Sequence, residues 1–152
     1  MHHLIFKNNN KEGQSMSGET NLSVLLASME PVLSTQLYVY CVVSERQLAH
    51  LSLSKIHGMF REKEGVTVII SKAYAQEADI NYQGDYRCIT LNVHSSLEAV
   101  GLTAAFAAAL GEEGLSANVV AGYYHDHIFV QNECADKALQ CLIKLSQSHQ
   151  GA

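Results

Sequence analysis

The order of hydrophobic periods from Arg87 to Gln147 restricts the fold more than any other feature of the chain. "RCITLNV" alternates with period two and reads as a strand. "SSLEAVGLTAAFAAALGEEG" reads as a helix of about four turns. Ser95 opens it, with Glu98 three residues later completing a capping box, and Gly114 marks its end. From near Leu97 this helix is expected to bury an alanine face that includes Ala104, Ala105 and Ala108. "ANVVAGY" and "HIFVQ" are short strands joined by a histidine-rich turn. "CADKALQCLIKLSQ" is an amphipathic helix, with Ala135, Ala138, Leu142 and Leu145 on one side and Asp136, Lys137, Gln140 and Lys144 on the other. The resulting β-α-β-β-α order is one strand short of the split βαβ unit of ferredoxin-like folds. "LYVYCVV", earlier in the chain, is the obvious donor of the missing strand.

The first half is less regular. The residues through Gly18 are polar and asparagine-rich without period, and are expected to be a disordered extension, with Met16 a candidate natural start. "NLSVLLASMEP" reads as a short helix opened by Asn21 or Thr20 and stopped at Pro31. "QLYVYCVVS" and "GVTVIIS" read as strands, and "KAYAQEADI" as a short helix. Between them, Glu45 to Glu64 mixes His, Ser and Lys with scattered leucines and has no clear period. No low-complexity linker separates the halves, so they are expected to pack as one unit.

Composition removes several function classes. A net charge of −5, with no segment that concentrates Lys and Arg, gives nucleic acid nothing to bind. The longest apolar run, Val100 to Leu110, falls short of the ~20 residues of a membrane span. "MHHLIFKNNN" has too short an apolar stretch for a secretion signal. Cys41 and Cys88 lie in strand-like apolar runs, while Cys134 and Cys141 share a helical pattern, and none forms a CxxC pair. All four are expected to be reduced cysteines of a cytoplasmic protein, mostly buried as small hydrophobes.

"HSSLEAVGLTAAFAAALGEEGLSANVVAGYYHDHIFV" resembles an ACT domain, a small ligand-binding module of amino-acid metabolism. The resemblance is strong from about Tyr86 to Leu145 and weaker from Leu22 to Asp85, where "EPVLSTQLYVYCVV" and "FREKEGVTVIIS" carry it. It implies an α+β fold of two ferredoxin-like (βαββαβ, ACT-type) halves. Residues 1–18 would be the extension, 19–85 a degenerate ACT-like half and 86–152 an ACT domain. It also implies an amino acid or related metabolite as ligand, pairing into a homodimer, and regulation of a partner enzyme. No catalytic domain is attached, and no cofactor is implied. Three clusters would form the site: His94, Ser95 and Ser96 with the helix start through Gly101, then Asn118 at the opening of the second strand, then the hairpin from Tyr123 to His127. The Pro-Gly of many ACT turns is replaced here by "LEAVG".

Each of these residues also has a purely structural role to play. Ser95, Ser96 and Glu98 can simply cap a helix, although the same free N–H groups and helix dipole favour a carboxylate. Gly101 can serve close packing against the sheet, and Asn118 can be a turn residue. Tyr123 and Tyr124 are expected to alternate, one in the core and one at the surface. His125 and His127 share a face of an extended strand and, with Asp126, offer a ligand set for zinc or ferrous iron. Asp126 would then point away, and Asp suits a tight turn, so "HDH" is read as a turn that lines a ligand pocket. The sequence thus favours a sensor or regulatory module binding an amino acid or similar metabolite between His94–Ser96 and Asn118. The alternative is a small metal-dependent or acid/base enzyme using His94, His125, Asp126 and His127.

Overall fold

The computed structural model describes Gly18 and residues 20–151, so all but the last residue of the expected N-terminal extension lies outside the described residues. In the first half, each α-helix starts where a side chain takes up free N–H groups. Asn21 Oδ1 accepts from the backbone of Ser23 and Val24, at 3.1 and 3.3 Å, and opens α1 (Leu22–Ala27). Ser44 and Gln47 form a reciprocal capping box that opens α2 (Glu45–His50), inside the segment whose sequence period is unclear. Ser71 Oγ accepts from Tyr74 N and opens α3 (Lys72–Glu77). The expected strands form as β2 (Tyr38–Val43) and β4 (Val66–Ser71), joined by β1 (Pro31–Leu33) and β3 (Ile56–Arg61). The second half contributes β5 (Gln83–Leu91), α4 (Leu102–Glu112), β6 (Asn118–Ala121), β7 (Asp126–Gln131) and α5 (Ala135–Ser148).

The strands make one antiparallel sheet in the order β3-β4-β2-β5-β7-β6, with β1 paired to β5 beside β2. Within it each half has ferredoxin-like connectivity, α+β with the helices over one face. The first half runs β2-α2-β3-β4-α3-β5 and uses the start of β5 as its fourth strand, with Tyr38 opposite Tyr86. The second half runs β5-α4-β6-β7-α5 and lacks a strand after α5. That vacancy is filled by β1, with Pro31 opposite Leu91 and Leu33 opposite Ile89. "LYVYCVV" is therefore the first strand of its own half, and the three residues of β1 are the donor. The two halves are interleaved through their central strands. Residues 31–43, interrupted at 34–37, end one half and begin the other, and β5 does the same in reverse. Ser34 N–H to Cys88 O and Arg87 Nε–H to Ser34 O, both 2.8 Å, pin the interruption.

Alternation along the strands sorts their side chains onto two faces. Ile89, Leu91, Ile128 and Val130 pack under α1, α4 and α5, while Val39, Val43, Val68 and Ile70 pack with Ala75 in the first half. The opposite face has its own apolar cluster, Tyr38, Ile69, Cys88 and Phe129 with Tyr40 and Tyr86 beside them, to which no helix among the described residues contributes. Burial there, then the neighbouring Tyr86 and Cys88, push the Tyr40 phenol up to about 12. Burial likewise raises the thiols of Cys41 and Cys88. His57 on β3 and His127 on β7 lie four strand steps apart, about 19 Å on a flat sheet. Their ring centroids are 6.3 Å apart. The sheet therefore curls over its helix-free face.

The alanine-rich helix differs from expectation. It begins at Leu102 and not near Ser95, and Gly101 at its N-cap has φ +100°, a left-handed conformation that favours glycine. The Ser95–Glu98 capping box does not form. Ser96 Oγ accepts instead from Glu98 N at 3.2 Å, within a turn closed by Ala99 N–H to Ser96 O at 2.9 Å. Its buried residues are Leu102, Phe106 and Leu110, spaced by four; Ala104 and Ala108 are exposed and Ala105 is half-buried. Larger side chains gain more from leaving water, so they take the core and leave alanine outside.

Candidate functional site

The loop from Asn92 to Gly101 and the β6–β7 hairpin meet at one end of the second half. Gly122 N–H donates to His125 O at 2.9 Å and closes the hairpin, whose tip is Tyr123 and Tyr124. Both tyrosines are exposed, at 61% and 58%, in place of the expected core and surface pair, because the strand ends at Ala121 and alternation stops with it. His94 lies against them, with centroids 5.1 Å from Tyr124 and 6.1 Å from Tyr123. His125 Nδ1–H donates to Val93 O at 3.3 Å and ties hairpin to loop. Leu97 and Val100 on the same loop are also exposed, at 67% and 84%, so the loop and hairpin carry a concentration of uncovered apolar surface.

The chain preceding α1 reaches this loop. Gly18 lies against the backbone of His94–Ser96 so closely that a Cβ would stand 2.5 Å from Ser95 C and Ser96 N. A Cβ on Gly101 would likewise meet Leu22 at 3.1 Å, so the close neighbour of this glycine is α1 and not the sheet. Among the described residues no side chain caps α4, so none of them supplies its first N–H groups with a side-chain acceptor beside the His94–Gly101 loop.

Asp126 and His127 belong to strand β7, so only His125 of "HDH" lies in the turn. Asp126 is 7% exposed and its carboxyl is pushed up by that burial, with the imidazoles of His127 and His125 pulling the other way. The two histidines face different partners: His125 bonds Val93 O, while His127 Nδ1 and Thr90 Oγ1 are hydrogen-bonded at 3.0 Å on the helix-free face. Among the described residues no three or more His, Cys, Asp or Glu side chains are grouped so that they could hold a metal ion. Asn118 opens β6 opposite Phe129, three positions along β7 from Asp126, and its amide donates to Phe129 O at 3.2 Å. Within one chain, then, His94, Ser95, Ser96, Gly101, Tyr123 and His125 gather at one end of the half. Asn118 sits toward the other, and does not converge with them as expected. The overlying Gly18 and Leu22, and the sharing of His57 and His127 across the halves, have no local sequence signal.

Two ACT-domain models match the chain, one over residues 17–87 and one over residues 83–144. A Vibrio cholerae protein of unknown function, described as a possible transport protein, is 51% identical, has a TM-score of 0.74, and aligns over 83% of this chain and 96% of its own. The chain belongs to the ACT-domain family. It is a tandem member, and the two matched ranges overlap within β5, the strand that both halves use. The ligand-free regulatory subunit of aspartate kinase from Thermus thermophilus shares the fold at 12% identity and a TM-score of 0.63, over 76% of this chain and 95% of that one. An Agrobacterium tumefaciens protein shares it at 15% identity and a TM-score of 0.58, over 73% and 84%. No curated protein matches the chain. Family membership supports a small-molecule-binding regulatory module. Among the described residues, no helix is long and apolar enough to cross a membrane.

Proposed function

We propose that this tandem ACT protein is a cytoplasmic sensor that binds an amino acid or related small carboxylate at the His94–Gly101 loop. The observation that carries the reading is the start of α4, whose first N–H groups have no side-chain cap among the described residues and lie beside that loop. Such groups, with the helix dipole, stabilise a carboxylate. His94, Tyr123 and His125 supply the polar and aromatic wall, and Ser95 and Ser96 further hydroxyls. The exposed Leu97, Val100, Tyr123 and Tyr124 suit a homodimer contact or a partner enzyme, through which occupancy would be read out. Asn118 contributes to such a site from a second copy of the chain.

A thermal-shift series with free L-amino acids tests this. A ligand at ~100 times its dissociation constant adds about 2.7 kcal/mol to the native state, a rise of roughly 5–11 °C for a chain of this size. His94→Ala is expected to weaken binding at least ~5-fold, the scale of one lost polar contact. Light scattering should report twice the chain mass. No shift with any amino acid, or a ligand whose affinity ignores His94→Ala, would remove the assignment.

A further inference from the structure

The first half, which the sequence presents as the degenerate one, contains a cavity of about 370 Å³ far from the His94–Gly101 loop. It lies where β2 begins and where β4 passes into α3. Its polar lining includes Gln36, Tyr38, Ser54, Lys55, His57 and Glu77. The second half has a smaller counterpart, about 310 Å³, at the matching place, where β5 begins and β7 passes toward α5. The β3 lead-in, which brings Ser54, Lys55 and His57, walls the first cavity alone.

Three features set this cavity apart from a surface dent. Tyr38 is only 8% exposed, and its hydroxyl, which makes no hydrogen bond among the described residues, is the part left accessible, at the cavity that the residue lines. Its ring is held at 4.5 Å from His57 and edge-on at 5.7 Å to Phe129, which fixes its orientation. Neither ring nitrogen of His57, an exposed residue, is hydrogen-bonded among the described residues, and desolvation holds the imidazole below its ordinary value. Finally, Lys55 Nζ stands 3.7 Å from Glu77 Oε2, too far for a hydrogen bond, while resting 4.7 Å over the Tyr74 ring. One cation, one anion, a phenol hydroxyl and an imidazole, the last two with hydrogen-bonding capacity to spare, therefore border the same space.

We propose that this cavity is a second ligand site, and that it takes a free α-amino acid of small or polar side chain as its zwitterion. The carboxylate lies against Lys55 and the ammonium against Glu77, antiparallel to the existing ion pair, while the side chain turns toward Tyr38 and His57. The inference deepens the sensor reading by giving the first half a ligand of the same class at an unrelated position. It also gives occupancy a path to the second half. The His57 and Tyr38 rings that line the cavity touch Phe129, and the His57 and His127 rings meet edge to face.

The test is a titration of the ¹⁵N-labelled full chain with glycine, L-serine and L-glutamine to millimolar concentration, read by amide chemical shifts. Saturable shifts are expected at residues 54–57 and 71–77. N-acetyl-L-glutamine, which lacks the ammonium, should bind at least ~10-fold more weakly, as should L-glutamine to Lys55→Met. Tyr38→Phe, which removes only the hydroxyl, should cost roughly 5-fold. If the shifts are confined to residues 93–104, the second site is overturned and the loop site stands. If no amide responds, the second site is again overturned and the loop assignment loses these three ligands with it. Binding at 54–57 that ignores both variants would mean a cavity that merely admits solute, and would overturn the assigned roles.

Discussion

At the scale of single residues, the histidine pair gives the molecule a pH signature. The His57 and His127 imidazoles are both held below their ordinary value, first by desolvation, and for His127 also by His57 and His125 against the opposing Asp126. A base with a depressed pKa in the fold is protonated more readily in the unfolded chain. The stability associated with keeping the pair neutral is thus fully present above the ordinary histidine value of about 6.5, and is lost as pH falls through it toward the folded values. Thermal midpoints should decline from about pH 8 to about pH 5, and His57→Phe with His127→Phe should flatten that slope. An unaltered slope would mean that other groups govern it. Asp126 works in the opposite sense, because burial raises its carboxyl, so its contribution is present at low pH and is lost as pH rises through the raised value.

At the scale of elements, α4 decides which sequence signals can be trusted. Phe106 is fully buried between Leu102 and Leu110, so Phe106→Ala should cost about 3–5 kcal/mol in chemical denaturation. Ala104→Lys and Ala108→Lys, on the exposed side, should stay within ~0.5 kcal/mol. The reverse ranking would mean that the helix is rotated. The four-residue spacing of Leu102, Phe106 and Leu110 was legible in the sequence, but a run of alanines has almost no amphipathic contrast and drew the reading to the wrong face. The start of the helix was misplaced for a similar reason: "SSLE" has the letters of a capping box, and only the left-handed Gly101 shows that the chain turns once more before helix begins. The converse error lies at Ser44 and Gln47, a genuine capping box hidden in a stretch without period. The strands β2, β4 and β5 and the helix α5 were legible because their apolar periods are uninterrupted. For the candidate site, the meeting of His94, Tyr123 and His125 follows from fold connectivity and was within reach. The distance of Asn118 from them, and the cavity at Tyr38, depend on strand register and sheet curl, which no local pattern encodes.

At the scale of the whole molecule, neither half owns a complete sheet. The start of β5 closes the first half and β1 closes the second, so unfolding either one strips a strand from the other. Denaturation is expected to be a single transition, superimposable whether followed by tyrosine fluorescence or by far-UV circular dichroism. Two resolved transitions would show that the halves are independent after all. The interleaving also says where the chain could be cut and rejoined. The end of α5 lies beside α1, with Ser146 Oγ–H donating to Ala27 O at 3.1 Å and Gln150 Nε2–H to the same carbonyl at 2.8 Å. A circular permutation that joins residue 151 to residue 20 and opens the chain at the 34–37 interruption would place α1 and β1 directly after α5. The contacts would be unchanged, but the connectivity would become two conventional domains in series, each strand in its ordinary order, with β5 alone still serving both.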